Sequence, residues 1–124
     1  MMLDCDGYRK ELLGRIGELG RLTPQTVRGY RELSDAGNKT AHLDAKTREL
    51  IAIAVGVTRQ CDGCITTHVH AARQHGATKE EVAEALGVAI AVNAGAALVF
   101  SARVMDALTD RPAESNTQHT GGQR

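Results

Sequence analysis

The chain has 124 residues, a length typical of a single domain that can bury its own hydrophobic core. Fifteen basic residues balance fifteen acidic ones, so the charge gives no reason to expect nucleic acid or an anionic membrane as a partner. The chain contains only two tyrosines, one phenylalanine and no tryptophan, which argues against a surface for base stacking. Small aliphatic residues and glycine must carry the packing instead, and they suit close contact between helices.

Two features of the sequence bear on the cellular compartment. Charged side chains interrupt the first twenty residues from Asp4 onward, so no apolar stretch of a cleavable signal peptide is visible. Three cysteines, an odd number, make a poor disulfide framework for a secreted protein. We therefore expect a cytoplasmic protein, in a compartment where thiols are kept reduced.

The first half of the chain predicts three helices. Apolar residues recur at spacings of three and four along the first twenty residues, which predicts the first helix. Pro24 suits the first position of a second helix, and Gly37-Asn38 is a typical helix end. Asp44 is the predicted N-cap of a third helix, which is apolar on most sides and should be largely buried.

The second half continues the helical pattern. A fourth helix is predicted from Cys61 to about Gln74, with Gly76 as its C-terminal glycine. The segment from Thr78 to Glu81 matches a capping box that would open a fifth helix. No stretch alternates convincingly with a period of two residues, so we expect an all-α protein with about six helices.

An unusually apolar segment follows, rich in alanine and glycine. Between residues 85 and 102 only Asn93 and Ser101 are polar, so its length approaches that of a transmembrane span. Alanine and glycine contribute little to membrane transfer, and charged residues flank the segment. We expect a helix that is buried in a soluble core or at a subunit interface, not in a membrane. It either continues the fifth helix or breaks near Asn93 into a sixth.

These patterns predict one domain followed by a tail. Residues 1–110 are predicted to form one domain. The polar residues 111–124 are predicted to be a disordered tail.

The residues that carry chemistry surround Cys61-Asp62-Gly63-Cys64. At about 100° per residue, Cys64 and His68 lie within roughly 60° of Cys61 around the helix axis, so all three share one face. A disulfide can close only if Cys61 lies where the backbone is not yet fully helical. The helix N-terminus stabilises a thiolate, and His68 can accept a proton from it.

Other interpretations of this motif remain open on spacing alone. The pair can be two inert buried cysteines, or Cys61, Cys64 and His68 can supply three ligands of a structural zinc site. The fourth ligand would then come from a carboxylate or from a residue with no typical finger spacing: Cys5, His42, His70 or His75. Haem attachment is excluded, because Ile65 and not histidine follows the second cysteine. Cys5 has no partner in the sequence and is expected to be incidental.

The pattern Glu-x11-Cys-x2-Cys-x3-His, formed by Glu49, Cys61, Cys64 and His68, resembles the AhpD-like alkylhydroperoxidase branch of the carboxymuconolactone decarboxylase superfamily. The resemblance covers roughly residues 20–108. It implies an AhpD-like helical bundle that forms dimers, trimers or hexamers, with the site near a subunit interface. The decarboxylases of the superfamily lack the CxxC motif, so lactone decarboxylation fits poorly.

The resemblance also implies roles for these four residues. Cys61 and Cys64 would be the redox dithiol, and Glu49 and His68 would relay protons. Well-characterised members have a histidine directly before the second cysteine, where this chain has Gly63. Without this histidine the proton relay has one group fewer. The loss should lower peroxidase activity more than general thiol–disulfide exchange, which needs only the activated dithiol.

The sequence therefore predicts a thiol-dependent peroxidase that reduces hydroperoxides with the Cys61–Cys64 dithiol. The helix dipole favours Cys61 as the attacking thiol, whereas the spacing to His68 and the family resemblance favour Cys64, which we expect to attack. A dithiol donor, which in the family can be a lipoylated protein, would reduce the disulfide. We expect a homo-oligomer, a trimer or hexamer, with no cofactor and no metal. The alternatives are a disulfide reductase that passes electrons to a peroxiredoxin-like partner, and a non-catalytic oligomeric module that binds zinc.

Overall fold

The computed structural model describes residues 1–109, which contain five α-helices and no strand. The helices are α1 (Cys5–Leu22), α2 (Pro24–Thr40), α3 (Ala45–Thr58), α4 (Asp62–Gln74) and α5 (Lys79–Thr109). The all-α class predicted from the sequence is confirmed, with five helices in this part of the chain instead of about six. The predicted tail, residues 111–124, lies outside the described residues.

Helices α1 and α2 meet at a short connection. The Thr23 amide donates to the Leu19 carbonyl, which ends α1, and Pro24 begins α2 as predicted. Gly20 lies against Val27, because a Cβ added at Gly20 would be 3.7 Å from that valine side chain. The buried Val27 and the missing side chain at Gly20 thus set how closely these two helices pack.

The end of α2 differs from the prediction. The helix passes Gly37-Asn38 and ends at Thr40, and its C-cap residue Ala41 adopts the left-handed conformation with φ of 52°. The Asn38 side chain does not cap the helix. Its Oδ1 accepts a hydrogen bond of 2.8 Å from Arg48 of α3, and Arg48 also donates to the Leu43 carbonyl. This tertiary contact holds Asn38 within the helix.

Helices α3 and α4 form an antiparallel pair around a small core. Asp44 caps α3 as predicted, since its Oδ1 accepts from the Thr47 amide at 2.7 Å. Ile53 of α3 and Ala72 of α4 are only 2% and 1% exposed. The prediction that α3 is largely buried is wrong: Ile51 is 48% exposed in the single chain. Only one face of α3 packs on α4.

Local capping interactions define the start of α5. Gly76, with φ of 80°, follows the end of α4 as predicted. The capping box is present, because the Thr78 amide donates to Glu81 Oε2 and the Glu81 amide donates to Thr78 Oγ1, both at 3.1 Å. Lys46 of α3 donates to Glu81 Oε1 at 3.0 Å, which joins the two helix starts.

Helix α5 continues without a break through Asn93, which answers the question that the sequence left open. The Asn93 Nδ2 donates at 2.8 Å both to the Ala89 carbonyl of its own helix and to Thr58 Oγ1 of α3. The side chain is therefore occupied by these acceptors and does not cap a new helix. The described chain falls into two compact units, Met1–Asn93 and a second that begins at Ala94.

The apolar surface of α5 is exposed in the single chain. An 18-residue window of the helix has a mean hydropathy of 1.9, and only 6% of it is buried. By length and composition this helix is able to cross a membrane, a test that core helices of soluble proteins also pass. Of the two expected environments, a soluble core and a subunit interface, this chain alone does not supply the core, and the interface stays a prediction. The exposed large apolar residues of α5 are Val88, Ile90, Val92, Leu98, Val99, Phe100, Val104, Met105 and Leu108.

Candidate functional site

The two cysteines of the motif form a disulfide at the N-terminus of α4. Cys61 is the N-cap residue, with extended backbone angles, and its Sγ accepts a hydrogen bond of 3.2 Å from the Cys64 amide. The two Cα atoms are 5.2 Å apart, within the range that disulfides span. The expectation that Cys61 lies just outside the regular helix is therefore confirmed. The pair lies at disulfide distance, which is consistent with a redox role.

A tight turn between α3 and α4 delivers Cys61 to this position. Gln60 adopts a left-handed conformation with φ of 52°, and its amide donates to the Val57 carbonyl at 3.2 Å. The Cys61 amide then donates to the Gly56 carbonyl at 3.1 Å. These bonds satisfy the backbone where the chain reverses, so the start of α4 is fixed relative to the end of α3.

Glu49 and His68 lie together, although 19 positions separate them in the sequence. The distance between Glu49 Oε2 and His68 Nδ1 is 2.7 Å, and the side chains are 22% and 28% exposed. Because Nδ1 faces the carboxylate, Nε2 is the ring nitrogen left to exchange a proton with other groups. His68 follows Cys64 by four residues on α4, which places the imidazole on the cysteine's side of the helix.

Gly63 is in contact with α1, a helix that sequence reasoning did not connect to the site. A Cβ added at Gly63 would lie 2.8 Å from Leu12 Cδ2 and 3.9 Å from Tyr8 Cε1. Leu12 thus takes the space that a side chain at position 63 would need. The relay histidine implied by the resemblance cannot be added here unless Leu12 moves.

Besides Leu12, the sequence analysis missed Gly56 as a residue of the site. It is buried on α3, and a Cβ added to it would lie 3.1 Å from the Cβ of Cys64. A lone glycine inside a helical pattern is the signal that was available, because such a residue often marks close packing.

The remaining histidines and the third cysteine lie elsewhere. Cys5 is exposed and unpaired, and it starts α1. His70 lines a surface groove of about 540 Å³ together with Asp6, Arg9, Arg73 and Gln74. Across residues 1–109, no group of three or more histidine, cysteine, aspartate or glutamate side chains is arranged to hold a metal ion.

The resolved pKa shifts lie at the starts of α3 and α5. The hydrogen bond from Lys46, together with one from the Thr78 amide, holds the pKa of Glu81 below its ordinary value. The same contact raises the pKa of Lys46. The pKa of Asp44 is lowered because its carboxylate accepts hydrogen bonds from Thr47 at the start of α3. These contacts fix the N-terminal end of the helix that carries Glu49.

The sequence matches the carboxymuconolactone decarboxylase family over residues 24–107. An uncharacterized protein of Haemophilus influenzae is 42% identical over 107 residues, which cover 86% of this chain and 95% of that protein. Uncharacterized protein 4 in the cox locus of Paracoccus denitrificans is 36% identical over 95 residues, covering 77% and 86%.

A solved structure has a similar fold. The crystal structure of an apo carboxymuconolactone decarboxylase family protein from Legionella pneumophila has a TM-score of 0.68 and 33% sequence identity. The similarity covers 83% of this chain and 92% of that one. Tyr8 and Leu12, which contact the site through Gly63, lie before the residues that match the family.

Proposed function

Because the chain belongs to the carboxymuconolactone decarboxylase family, we propose that it is a thiol-dependent peroxidase of the alkylhydroperoxidase type. The observation that carries the proposal is the Cys61–Cys64 pair, which lies at disulfide distance on a helix N-terminus. Dithiols in such positions are reactive, because the unpaired amides of the first helical turn stabilise a thiolate.

In the proposed reaction the Cys64 thiolate attacks the distal oxygen of a hydroperoxide and breaks its O–O bond. The alkoxide takes up a proton and leaves as an alcohol, and Cys64 becomes a sulfenic acid. The Cys61 thiol then condenses with the sulfenic acid, which forms the disulfide and releases water. A dithiol donor reduces the disulfide by exchange and is itself oxidised to a disulfide.

Glu49 and His68 support proton transfer in this scheme. The Glu49 carboxylate fixes His68 through Nδ1, so Nε2 can take the thiol proton and return it to the leaving alkoxide. Cys64 is the proposed attacking residue because it lies one helical turn before His68. Cys61, as the N-cap residue, is the proposed resolving thiol.

The test is a single-turnover oxidation of the reduced protein with hydrogen peroxide and with tert-butyl hydroperoxide. The wild type should lose two thiols for each peroxide consumed, and tert-butyl hydroperoxide should yield tert-butanol where hydrogen peroxide yields water. Cys64→Ser should abolish the reaction, Cys61→Ser should stop at a sulfenic acid that dimedone traps, and Cys5→Ser should behave as the wild type. Unchanged oxidation of Cys64→Ser would remove Cys64 from the attacking role, and an unreactive wild type would refute the peroxidase proposal.

One observation favours a second candidate function, a disulfide reductase that passes electrons to a peroxiredoxin-like partner. Leu12 fills the space beside Gly63, so the relay has fewer proton-carrying groups, whereas thiol–disulfide exchange needs only the activated dithiol. Stopped-flow kinetics separate the two: slow turnover with peroxide but fast reduction of an oxidised peroxiredoxin supports the reductase. Elemental analysis tests the remaining alternative, since stoichiometric zinc with no titratable thiols would contradict both redox functions.

We also propose that the active form is a cytoplasmic homo-oligomer, a trimer or hexamer. The support is the exposed apolar surface of α5 together with the exposed Ile51 and Val55 on α3. Monomers rarely leave apolar patches of such extent in water. Light scattering should give a multiple of the 13.2 kDa chain mass, and a value equal to that mass would contradict the proposal.

A further inference from the structure

Gly56 is a buried glycine in the last turn of α3, a position where glycine weakens a helix relative to alanine. Four of the other helical glycines lie in open space, and at Gly7 and Gly37 an added Cβ would meet only side-chain atoms beyond the neighbour's Cβ. A Cβ added at Gly14, Gly29, Gly87 or Gly95 would meet no atom within 4 Å. At Gly56 it would lie 3.1 Å from the Cβ of Cys64 and 3.9 Å from the backbone at Cys64 and Ile65. The absence of a side chain here therefore allows α4 to approach α3 at the second cysteine.

The backbone of the same residue holds the first cysteine. The Gly56 carbonyl accepts a hydrogen bond of 3.1 Å from the Cys61 amide. One residue of α3 thus contacts both cysteines, Cys61 through its carbonyl oxygen and Cys64 through its missing side chain. Gly56 has no side chain that could take part in the chemistry, so its effect must pass through the positions of the two cysteines.

We propose that Gly56 is a positioning residue that sets the separation of Cys61 and Cys64 and thereby the balance between dithiol and disulfide. The inference rests on the proposed redox function and adds a determinant of its equilibrium. Gly63, inside the motif, differs in kind: its added Cβ would meet the flexible end of the Leu12 side chain, which can rotate away. The atom opposite Gly56 is a Cβ fixed to the α4 backbone, and it can yield only by moving the cysteine.

A methyl group at position 56 moves Cys64 away from α3 while the hydrogen bond to the Gly56 carbonyl keeps Cys61 in place. The disulfide requires Cβ atoms about 3.5–4.5 Å apart, whereas two free thiols have no such requirement. Displacement of Cys64 therefore disfavours the disulfide relative to the dithiol. Gly56→Ala should make the protein easier to reduce.

The experiment equilibrates the purified protein with mixtures of reduced and oxidised dithiothreitol and measures the fraction of dithiol. In this reaction the protein disulfide gains two electrons and two protons, and dithiothreitol is oxidised. We expect Gly56→Ala to raise the equilibrium constant for reduction about three- to tenfold, which corresponds to about 15 to 30 mV. Gly29→Ala, on the exposed side of α2, is the matched control and should leave the constant unchanged.

An equilibrium constant for Gly56→Ala within 1.5-fold of the wild type, or one that favours the disulfide, overturns this inference but does not touch the proposed function. A wild-type dithiol that cannot be oxidised and reduced reversibly refutes the proposed function as well. If Gly56→Ala does not fold, the Gly56→Ala/Cys64→Gly double variant decides, because it removes the opposing Cβ. Cooperative unfolding of the double variant, like that of Cys64→Gly alone, supports the direct contact between positions 56 and 64. A double variant that also fails to fold, while Cys64→Gly folds, overturns it.

Discussion

The contact between Glu49 and His68 can be tested by changing the charge of Glu49 while its size is kept. Glu49→Gln replaces one carboxylate oxygen with an amide nitrogen, so a hydrogen bond to His68 Nδ1 remains possible but the negative charge beside the ring is lost. In the proposed reaction His68 becomes positively charged when it takes the thiol proton. The carboxylate stabilises that state, and the amide does not.

The size of the effect follows from the geometry of the pair. Hydrogen bonds to charged groups contribute about 1.5–3 kcal/mol, and fully exposed ion pairs contribute about 0–1 kcal/mol. The 2.7 Å contact, with side chains 22% and 28% exposed, lies between these cases. We therefore expect a loss of about 1–2 kcal/mol of transition-state stabilisation, which is about a 5- to 30-fold lower rate.

The assay is stopped-flow oxidation of the reduced dithiol by tert-butyl hydroperoxide, quenched and read as remaining thiol. Glu84→Gln, an exposed glutamate on α5, is the matched control and should react like the wild type. The His68→Asn and Glu49→Gln/His68→Asn variants should be equally slow, because the two side chains act as one unit. A Glu49→Gln rate within twofold of the wild type, in a protein with unchanged circular dichroism, would refute the relay.

Three further predictions concern the scaffold of the site. Because the pKa of Glu81 is held below its ordinary value of 4.5, its ion pair with Lys46 stabilises the fold above that value and is lost as the pH falls through the folded-state pKa. The melting-temperature difference between the wild type and Lys46→Met should thus be present at neutral pH and shrink in acid. Ile53→Ala, at a position 2% exposed, should lower the free energy of unfolding by about 2–5 kcal/mol in urea titrations. Gly63→His should melt earlier because the Leu12 side chain must rotate out of the way, and Gly63→His/Leu12→Ala should melt above Gly63→His because the imidazole then has room.

Local interactions explain what the sequence could predict about this fold. The Asp44 cap, the Thr78–Glu81 capping box and the N-cap position of Cys61 each involve atoms within three residues of one another. Such contacts depend on a short window of sequence and hardly on the rest of the chain. The pairing of Glu49 with His68 came from the family resemblance, because helical periodicity alone does not say which helices pack together.

Contacts between distant elements explain what the sequence could not predict. The end of α2 depends on Arg48, which engages Asn38 from the next helix and overrides a typical stop signal. The contact of Leu12 with Gly63 joins residues about fifty positions apart, and no periodic pattern marks it. Burial of α3 was overestimated because an apolar helix surface does not reveal whether its partner belongs to the same chain or to another.

The attachment of α5 argues for a protein partner over a membrane on its apolar surface. Asn93, near the middle of the helix, donates to Thr58 of α3, and Glu81 in its first turn binds Lys46. These polar contacts hold α5 against α3 from its first turn as far as Asn93. This part of α5 cannot enter a hydrocarbon layer unless the two contacts break. The part of the helix beyond Asn93 that the structure describes, Ala94 to Thr109, is shorter than the about 20 residues that a membrane span needs. Another copy of this chain can cover the same apolar side chains and leave the hydrogen bond and the ion pair intact, which is why we favour an oligomer.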